Sequence, residues 1–509
     1  MKATIIFLIL WISASSGSNI LMVTLGGTKS HKIPFLEIGK GLIERLHNVT
    51  LISGFKTEPQ TSSNIEDVAP LKVVQFIETY FNRDLLGTRM KGELPIPILD
   101  VFRYPLEVCS AFYEDQEVVE IIAHRKFDLA ILDGAFPECA LAMVHKMEIP
   151  FMFLNTVGLY MGSLSRAGNP VLPAFTPAFS GQFTENMSFF ERLTNNAVHL
   201  TLNMMHFIMV HFLQKRLRNY FGSELPHVYD ISSKVSFTLQ NGHPTLTYPR
   251  PFFPNVAEIA CVHCKEPKKL PQDLEDFVGG NNTEGFIYVA MGSSVKAANM
   301  PNKLRRIMLE AFSHLPYKVL WKWESNTKNM KNIPSHIKLS KWFPQQDILG
   351  HKNIKSFVTH GGLLSMFETV YHGCPIVTIP VFCDHDANAA KAVLDGYAIK
   401  LNLQTLSSRT LATAIEQTVK NSTYKSKAQY RQSLIRDQII SPLNLSIYWI
   451  EYVIKHNGAE HLQTPSRSLS FLEYYSLDVY AFCFGLLWSI RRIFVWYQGI
   501  IIKIKIKTD

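Results

Sequence analysis

The sequence predicts an α/β protein made of two doubly wound parallel-sheet domains that face each other across a cleft. A chain of 509 residues is longer than one hydrophobic core normally supports, so two domains are expected. Short runs of branched apolar residues alternate with segments of helical spacing, which is the rhythm of βαβ units. This rhythm stops over a proline-rich stretch and then starts again. Ligands of such sheets bind beyond the carboxyl ends of the strands, where we expect the functional residues.

The first predicted domain covers residues 18–243. Short runs rich in branched apolar residues predict strands at residues 20–25, 49–53, 71–77, 127–132 and 151–155. Residues 34–46 and 135–146 have the apolar spacing of helices and lie between those strands.

A linker is predicted at residues 244–271, because six prolines fall there with little periodic pattern. The second domain then covers residues 272–457. Strands are expected in it at residues 286–291, 317–321, 354–359 and 376–380. A connector at 458–473, an apolar segment at 474–502 and a basic tail at 503–509 complete the predicted organisation.

The composition excludes a disordered chain and argues against a nucleic-acid-binding protein. Hydrophobic residues make up 47% of the chain and charged residues 18%, which gives enough apolar surface for packed cores. The formal net charge is +9, but four of those charges belong to the last 19 residues, whose basic members are Arg491, Arg492, Lys503, Lys505 and Lys507. The remainder is too thinly spread for a nucleic-acid footprint, and a basic end suits a membrane-proximal tail.

Residues 1–17 have the pattern of a secretory signal peptide. Lys2 precedes an apolar run over residues 5–12, and small residues follow. A buried first strand is the alternative interpretation. Entry into the secretory pathway would produce a glycoprotein, with candidate sites at the sequons of Asn48, Asn186, Asn281, Asn421 and Asn444.

The C-terminal segment indicates membrane attachment in one of two forms. Residues 479–490 supply 12 apolar positions before Arg491 and Arg492 interrupt, whereas a spanning helix needs about 20. Residues 493–502 would complete a span, at a cost of roughly 5–7 kcal/mol for two arginines within it. A short tilted transmembrane helix that starts near Tyr474 and a helix lying in the membrane interface both stay open.

A lone histidine follows the first predicted strand. The chain passes from that strand through Gly26 and Gly27 to His31, and a helix is expected to begin near Pro34. Asp133 lies at the carboxyl end of another predicted strand, where a carboxylate can orient a histidine. If the two side chains meet, His31 is a general base and Asp133 fixes its tautomer. A solvated loop histidine is the alternative.

The most specific pattern lies in the second domain. A strand is followed by His-Gly-Gly at residues 360–362 and then by a helix, so that backbone N–H groups and the helix N-terminus can bind a phosphate. The Ser365 hydroxyl adds a donor, and Glu368 can accept hydrogen bonds from two vicinal ribose hydroxyls. Upstream, Trp342 offers a flat face for a base.

These segments resemble the signature of the UDP-glycosyltransferases, including the animal UDP-glucuronosyltransferases, whose GT-B fold has two Rossmann-like domains. The resemblance covers nearly the whole chain and rests on Trp342, Pro344, Gln345, residues 360–362, Glu368 and residues 375–384. It implies transfer of a hexose from UDP-glucose or UDP-glucuronate to a hydroxyl of a small lipophilic acceptor such as a phenol, steroid or xenobiotic. It further implies inversion at the anomeric carbon, with His31 as the base.

The resemblance also implies the donor-binding residues, which are Ser293, Trp342, Phe343, Gln345, His360, Gly361, Gly362, Ser365, Glu368, Asp384 and His385. Trp342 would stack on uracil beside the Phe343 backbone, and Gln345 and Glu368 would hold the ribose. The serines and His360 would bind the phosphates, while the last two residues would face the sugar hydroxyls.

No metal and no cofactor besides the UDP-sugar co-substrate is implied, because hydrogen-bond donors and a helix end neutralise the leaving diphosphate. The close cysteine pair Cys261 and Cys264 lacks the second pair of ligands that a zinc site needs.

The chain departs from the family pattern at three places. His385 stands where a glutamine is usual and Leu364 where an asparagine is frequent, so the choice of donor sugar stays open. The arginines at 491–492 cut into a tail that spans the membrane in relatives.

The family's tail ends in the cytosol with a lysine-rich retrieval signal, to which Lys505 and Lys507 are similar. The resemblance therefore implies an endoplasmic reticulum membrane protein with luminal catalytic domains, and it leaves a homo-oligomer open.

Two rival functions fit parts of the same pattern. A nicotinamide oxidoreductase would also have βαβ units, but no Gly-x-Gly-x-x-Gly follows any predicted strand. A non-catalytic UDP-sugar-binding or partner subunit of the same fold would use the cleft without turnover. Phenylalanines and methionines around residues 175–190 and 204–212 are expected either to line an apolar acceptor pocket or to pack as core.

Overall fold

The computed structural model describes residues 17–508 except 27, 58–63, 159–161, 180, 280–283 and 326–332, with side chains up to residue 502. The predicted signal peptide up to residue 16, the sequon at Asn281 and the side chains of the basic tail lie outside the described residues. The strand pairings within the described part are parallel and form two sheets, one in each half of the chain.

The strands of the first half are β1 (Asn19–Thr24), β2 (Asn48–Ser53), β3 (Glu66–Val68), β4 (Leu129–Asp133), β5 (Phe151–Asn155), β6 (Phe237–Gln240) and β7 (Val256–Glu258). Its helices are α1 (Lys29–Glu44), α2 (Leu71–Phe81), α3 (Leu85–Met90), α4 (Ile98–Tyr113), α5 (Gln116–His124), α6 (Glu138–Met147), α7 (Gly162–Arg166), α8 (Phe189–Phe221), α9 (Val228–Ser232) and α10 (Pro244–Thr247). The sheet has the strand order β3-β2-β1-β4-β5-β6-β7.

The second half contains the strands β8 (Phe286–Ala290), β9 (Lys318–Lys322), β10 (Ile337–Ser340), β11 (Ile354–Thr359), β12 (Ile376–Thr378) and β13 (Ala398–Lys400). Its helices are α11 (Gln272–Val278), α12 (Asn302–Ser313), α13 (Gln345–Leu349), α14 (Leu363–Tyr371), α15 (His385–Leu394), α16 (Ser408–Lys420) and α17 (Ser422–Arg436). Its six strands follow the order β10-β9-β8-β11-β12-β13. Three helices complete the chain, namely α18 (Pro442–Lys455), α19 (Phe471–Tyr474) and α20 (Leu477–Thr508).

Both faces of each sheet are covered, as the apolar strand sequences require. In β1, Ile20 and Met22 belong to the core on one face, whereas Leu21 and Val23 belong to the core on the other. Successive side chains of a strand point to opposite faces, so a strand that is apolar throughout needs helices on both sides. The expected pair of doubly wound α/β domains is confirmed.

One predicted strand is wrong. Residues 71–77 belong to the helix α2, which starts after Pro70. The buried residues of α2 are Val73, Ile77 and Tyr80, which are four and three positions apart and so share one helical face. The branched residues at 73–74 suggest a strand, but the buried positions recur every three to four residues, which is the period of a helix.

The expected linker is more structured than its prolines indicate. Residues 244–271 include α10 and also β7, which is the edge strand of the first sheet. The chain also returns to the first domain at its end, because Ile447 and Ile450 of α18 lie in the same core cluster as Ile20. The two domains are therefore joined by α18 as well as by the proline-rich segment.

Cys109 of α4 and Cys139 of α6 form a disulfide across 30 residues of sequence. A bridge of this loop length stabilises a fold by roughly 3–4 kcal/mol in the chain-entropy model, because it restricts the unfolded chain. We expect Cys139→Ala to lower the free energy of unfolding by about that amount, as measured by urea denaturation in detergent. The buried, unpaired Cys374 provides the matched control Cys374→Ala. An equal loss in both variants would contradict the prediction.

Candidate active site

The predicted base and its carboxylate partner lie at the point where the first sheet changes direction. The order of the sheet reverses between β1 and β4, and ligands of such sheets bind at this point, beyond the carboxyl ends of the strands. Asp133 is the last residue of β4, and His31 is the third residue of α1, which follows β1.

The helix α1 begins one turn before the predicted start near Pro34. In its first turn the His31 N–H donates to the Thr28 carbonyl at 3.1 Å. Because the helix starts this early, Pro34 lies inside it. His31 therefore lies within the helix and is not a free loop residue. Gly26 makes room for it, since a Cβ there would lie 2.4 Å from the His31 Nδ1.

His31 and Asp133 meet, which the sequence alone left open. The Nδ1 atom of His31 lies 2.9 Å from Oδ2 of Asp133, whose side chain is 1% exposed. The same carboxylate accepts hydrogen bonds from the Thr24 hydroxyl at 2.8 Å and from the Ala135 N–H at 3.1 Å. Thr156 completes the arrangement, with its hydroxyl 2.7 Å from His31 Nδ1 and 3.0 Å from Asp133 Oδ1.

This geometry puts the histidine proton on Nδ1. The Thr156 hydroxyl donates to Asp133, so its oxygen is left to accept from Nδ1 together with the carboxylate. No group of the described residues bonds the other ring nitrogen, Nε2, which keeps a free lone pair. A neutral imidazole with that tautomer is the form that a general base needs.

The surroundings of His31 raise the pKa of its imidazole. Burial of the ring lowers this pKa, but the charge and hydrogen bond of Asp133 raise it by more, and the charge of Asp384 adds to the rise. The net pKa lies above the ordinary value of 6.5. The arrangement can therefore accept a proton from a hydroxyl and stabilise the resulting imidazolium.

Thr24 and Thr156 are functional candidates that the sequence reasoning missed. Thr24 is the last residue of β1, and Thr156 directly follows β5, the strand next to β4. Polar side chains at the carboxyl ends of three adjacent strands were the available signal.

The predicted phosphate-binding motif of the second domain occupies the corresponding position in the other sheet. His360 follows β11, and Gly292 and Ser293 lie just beyond β8, the neighbouring strand at which that sheet reverses. A Cβ on Gly292 would lie 2.4 Å from the His360 ring, and Ser293 next to it is exposed. Gly361 has a φ of +88°, a conformation that glycine adopts without strain. The N-terminus of α14 follows at Leu363.

Two histidines of this motif are held neutral. Burial, followed by the charges of His385 and Lys322, keeps the pKa of His360 well below its ordinary value. Burial and the charge of Arg89 lower the pKa of His385 to about 3. The two rings lie edge to face, 4.4 Å apart, so each can donate one hydrogen bond without adding a positive charge.

His385, which the resemblance places at the sugar hydroxyls, is buried. Its side chain is 4% exposed and packs between His360 and Phe382, whose ring centroid is 4.8 Å away. Asp384 is the half-buried residue that faces the cleft, and its pKa is raised by burial despite a 2.8 Å bond from Asn388. Asp384 is thus the better placed of the two for a sugar hydroxyl, because imidazole is shorter than the usual glutamine side chain and is covered here.

The residues expected to bind the nucleoside divide into a joined pair and a free aromatic ring. Gln345 donates through Nε2 to Glu368 and to the Ser365 hydroxyl, the latter at 3.1 Å. Trp342 is 70% exposed, while its neighbour Phe343 is buried in the core. Leu364, in place of an asparagine, is half-buried against that core.

The two half-sites share one cleft. His31 and Asp384 interact electrostatically across it, and Asn388 holds both Asp384 and the Gly361 carbonyl, the latter at 3.0 Å. A Cβ on Gly158 of the first domain would lie 3.2 Å from Leu363 at the start of α14.

An ion pair between the domains closes one side of this cleft. Arg89 of α3 lies 2.7 Å from Asp386 of α15, which also pairs with Lys400 at 2.7 Å. Leu85 and Leu86 of the same helix α3 pack into a core of the second domain. The helix α3 therefore links the two domains close to Asp384.

Aromatic side chains cluster in the first domain next to the end of β1. The Tyr104 hydroxyl donates to the Leu25 carbonyl at 2.7 Å, and its ring lies 5.6 Å from Phe136 and 5.4 Å from Phe76. Phe136 comes three residues after Asp133 and is half-buried.

The phenylalanines and methionines at 204–212 were expected to line a pocket or form core. Several of them are instead exposed on the outer side of α8, including Met204, Phe207 and Phe212. Within the described side chains, no three His, Cys, Asp or Glu residues come together as a metal site requires.

Comparison with known proteins agrees with this arrangement. Residues 55–504 match the family described as UDP-glucoronosyl and UDP-glucosyl transferase. The chain belongs to this family. It is 32% identical over 475 residues to UDP-glucosyltransferase 2 of Dactylopius coccus, with 92% of this chain and 90% of that protein covered. It is 29% identical over 483 residues to the 2-hydroxyacylsphingosine 1-beta-galactosyltransferase of Rattus norvegicus, with 93% and 87% covered.

Solved structures place this UDP-glycosyltransferase in the GT-B fold. The calicheamicin glycosyltransferase CalG4 superposes with a TM-score of 0.57 at 16% identity, covering 87% of this chain and 99% of that one. The glycotransferase of kitacinnamycin superposes with a TM-score of 0.56, covering 86% and 98%. At this identity the likeness concerns the fold alone, and the family assignment rests on the sequence matches.

Proposed function

We propose that this UDP-glycosyltransferase is an inverting hexosyltransferase that moves glucose or glucuronic acid from its UDP-sugar to a hydroxyl of a small lipophilic acceptor. The observation that supports this best is the set of contacts across the cleft. His31, oriented by the buried carboxylate of Asp133, interacts electrostatically with Asp384. Asn388 in turn bonds both Asp384 and the glycine turn at the N-terminus of α14.

In the proposed reaction, His31 Nε2 takes the proton of the acceptor hydroxyl while the oxygen attacks the anomeric carbon. The bond from that carbon to the diphosphate oxygen breaks, and its electron pair leaves with UDP. Because the base belongs to one domain and the phosphate motif to the other, attack comes from the face opposite the leaving group, which inverts the anomeric configuration. Asp133 stabilises the imidazolium that forms.

The second domain would bind the leaving UDP through neutral donors. His360, Ser293 and Ser365 would contact the phosphates, aided by the backbone N–H groups and the dipole at the start of α14. Gln345 and Glu368, already joined to each other, would take the ribose, and Asp384 a sugar hydroxyl. No metal ion enters this scheme.

The acceptor would lie against the aromatic cluster beside the base. The half-buried rings of Phe76 and Phe136 both contact the buried ring of Tyr104, whose hydroxyl bonds the Leu25 carbonyl. Flat lipophilic molecules such as phenols and steroids suit such a cluster, because aromatic pairs gain from offset and edge contacts.

We also propose attachment to the endoplasmic reticulum membrane with the catalytic domains in the lumen. One helix among the described residues, Leu477–Ile502, is long and apolar enough to cross a membrane, and no residue of its apolar window is buried inside the protein. At 1.5 Å per residue it measures about 39 Å, which exceeds the roughly 30 Å hydrocarbon core. Arg492 lies 5.3 Å from the Trp488 ring within this helix, a contact that shields its charge in part.

Product analysis tests the proposed function directly. The purified full chain is incubated with UDP-glucose or UDP-glucuronate and a panel of phenols and steroids, and the products are detected by mass. Nuclear magnetic resonance of the product then gives the anomeric configuration, which we expect to be β from the α-linked donor. UDP binding without any product across the panel would favour the non-catalytic subunit instead.

Trp342→Ala is expected to raise the KM for the UDP-sugar by roughly 5- to 100-fold with little change in kcat. Base stacking on an aromatic ring is worth about 1–3 kcal/mol, and the ring is exposed and makes no packing contribution to the core. Tyr430→Ala, at another exposed aromatic residue, is the matched control. A fall in kcat at unchanged KM would contradict the stacking role.

A further inference from the structure

The long helix α8 carries an apolar face that no described part of the protein covers. Its large exposed residues include Phe189, Leu193, Leu200, Met204, Phe207 and Ile208, each between 47% and 65% exposed. Their spacing places them along one side of the helix. Together they present on the order of 600 Å² of apolar surface, which is at the upper limit of what a monomeric soluble protein leaves open.

The helix α8 is apolar on two sides. Its inner side packs into the first-domain core through Met209, Val210, Leu213 and Leu217, and it also buries Asn195. A helix on a water-soluble surface has one apolar side and turns a polar side outward, whereas the outer side of α8 carries the exposed apolar residues named above. That outer side therefore has the character of a surface that meets an apolar phase.

A neighbouring helix extends the same surface. The ring of Phe102 in α4 lies 6.0 Å from that of Phe212 in α8, and Ile98, Leu99 and Val101 at the start of α4 are all exposed. The α8 face, as we call the surface formed by these residues of α8 and α4, thus extends over two adjacent helices.

Charge at the edge of the α8 face is positive. Glu191 is the one acidic residue in the sequence of α8, and it is occupied in the capping box at the start of the helix. Lys215 and Arg218 are exposed further along the same side of the helix. A flat apolar surface bordered by basic side chains is complementary to an anionic lipid surface.

The α8 face is tied to the root of the candidate membrane helix. Tyr475, just before α20, donates through its hydroxyl to the Val171 carbonyl at 3.2 Å. Asn195 of α8 donates to the Pro173 carbonyl at 2.7 Å. Val171 and Pro173 are two residues apart, which is at most about 7 Å of chain. The first turns of α8 and Tyr475, just before α20, therefore bond neighbouring carbonyls of the same short segment.

We propose that the α8 face lies on the lipid surface of the membrane that α20 enters, as a second contact besides the C-terminal helix. The proposal rests on the membrane attachment proposed above. The apolar side chains insert at the level of the acyl chains, while Lys215 and Arg218 meet the headgroups.

Photochemical labelling from the lipid tests this contact. The full chain is reconstituted into vesicles of phosphatidylcholine with about one-fifth phosphatidylserine, containing a phosphatidylcholine whose acyl chain bears a diazirine. We expect mass spectrometry to find the label on Leu200, Met204 and Phe207 as well as on α20. Tyr430, which is similarly exposed, and Ile439, which is more exposed, lie elsewhere and are expected to stay unlabelled.

A charged variant provides the second measurement. Leu200→Asp with Phe207→Asp is expected to reduce labelling of α8 at least fivefold while α20 stays labelled and transfer to a water-soluble acceptor is unchanged. Label confined to α20 in the unaltered protein overturns the proposal. So does a dimer that protects the α8 face from labelling, since the occupant is then a second copy. Absence of product with α8 labelled would instead refute the transferase proposal alone, and absence of label on α20 would refute the membrane attachment.

Discussion

His31→Ala is expected to lower kcat by roughly 10²- to 10⁴-fold while the affinity for UDP stays within twofold of the unaltered protein. A general base contributes about this much to proton transfer, and no other described side chain places a free imidazole nitrogen beside Asp133. UDP would be held by the second domain. Of its proposed UDP-sugar-binding residues, Asp384 is the one that interacts electrostatically with His31. Initial rates and calorimetric titration with UDP give the two quantities.

The control for this variant is His124→Ala, which removes an exposed histidine at the end of α5 in the same domain. It should leave both quantities unchanged. If His31→Ala retains more than a tenth of the rate, the proton is taken by another group and the proposed mechanism is wrong. If UDP affinity falls as well, the loss reflects a disturbed cleft, and thermal unfolding of the two variants will show it.

The fold could be predicted from the sequence because it depends on two local signals, the apolar runs of strands and the apolar spacing of helices. Strands buried on both faces are apolar throughout, and β5 and β11 appear with the bounds that their apolar runs predicted. The helix α2 was missed, since over residues 71–77 branched side chains outweigh a helical period that becomes clear only at Tyr80. The edge strand β7 was missed because three residues beside prolines carry no periodic signal.

The site was predictable as residue types and only partly as geometry. Strand ends located His31, Asp133 and the motif at 360–362, since the position after a strand is a property of the sequence. The contact between His31 and Asp133 depends on strand order, which no local pattern encodes, and the same holds for Thr156 from β5. The burial of His385 depends on the packing of Phe382 and His360 around it.

The α8 face shows most clearly what composition leaves undetermined. From composition, the residues at 204–212 suit a pocket or a core, because both are apolar environments. A surface that faces a membrane has the same apolar composition, and only the structure shows that Asn195 and His199 are buried while Met204 is exposed.

Asp133→Asn is expected to lower kcat by roughly 10²- to 10⁴-fold with the histidine still in place. The Oδ1 position accepts from the Ala135 N–H and the Thr156 hydroxyl, so an amide nitrogen is excluded there. The nitrogen must therefore occupy the Oδ2 position, where the Thr24 hydroxyl can turn and accept from it, and donate to His31 Nδ1. That bond forces the proton onto Nε2, which removes the lone pair that the acceptor hydroxyl needs.

The pH profile separates this effect from a loss of structure. A base works in its neutral form, so the rate of the unaltered protein should rise with pH through the pKa of His31, which Asp133 holds above 6.5. Without the carboxylate that pKa falls, and the acidic limb of the residual activity should move to lower pH. Asp128→Asn, one residue before the same strand begins, should leave the limb in place. In the His31→Ala background, Asp133→Asn should have almost no further effect on kcat, because the carboxylate acts through the imidazole; independent, multiplicative losses would show that Asp133 contributes by some other route.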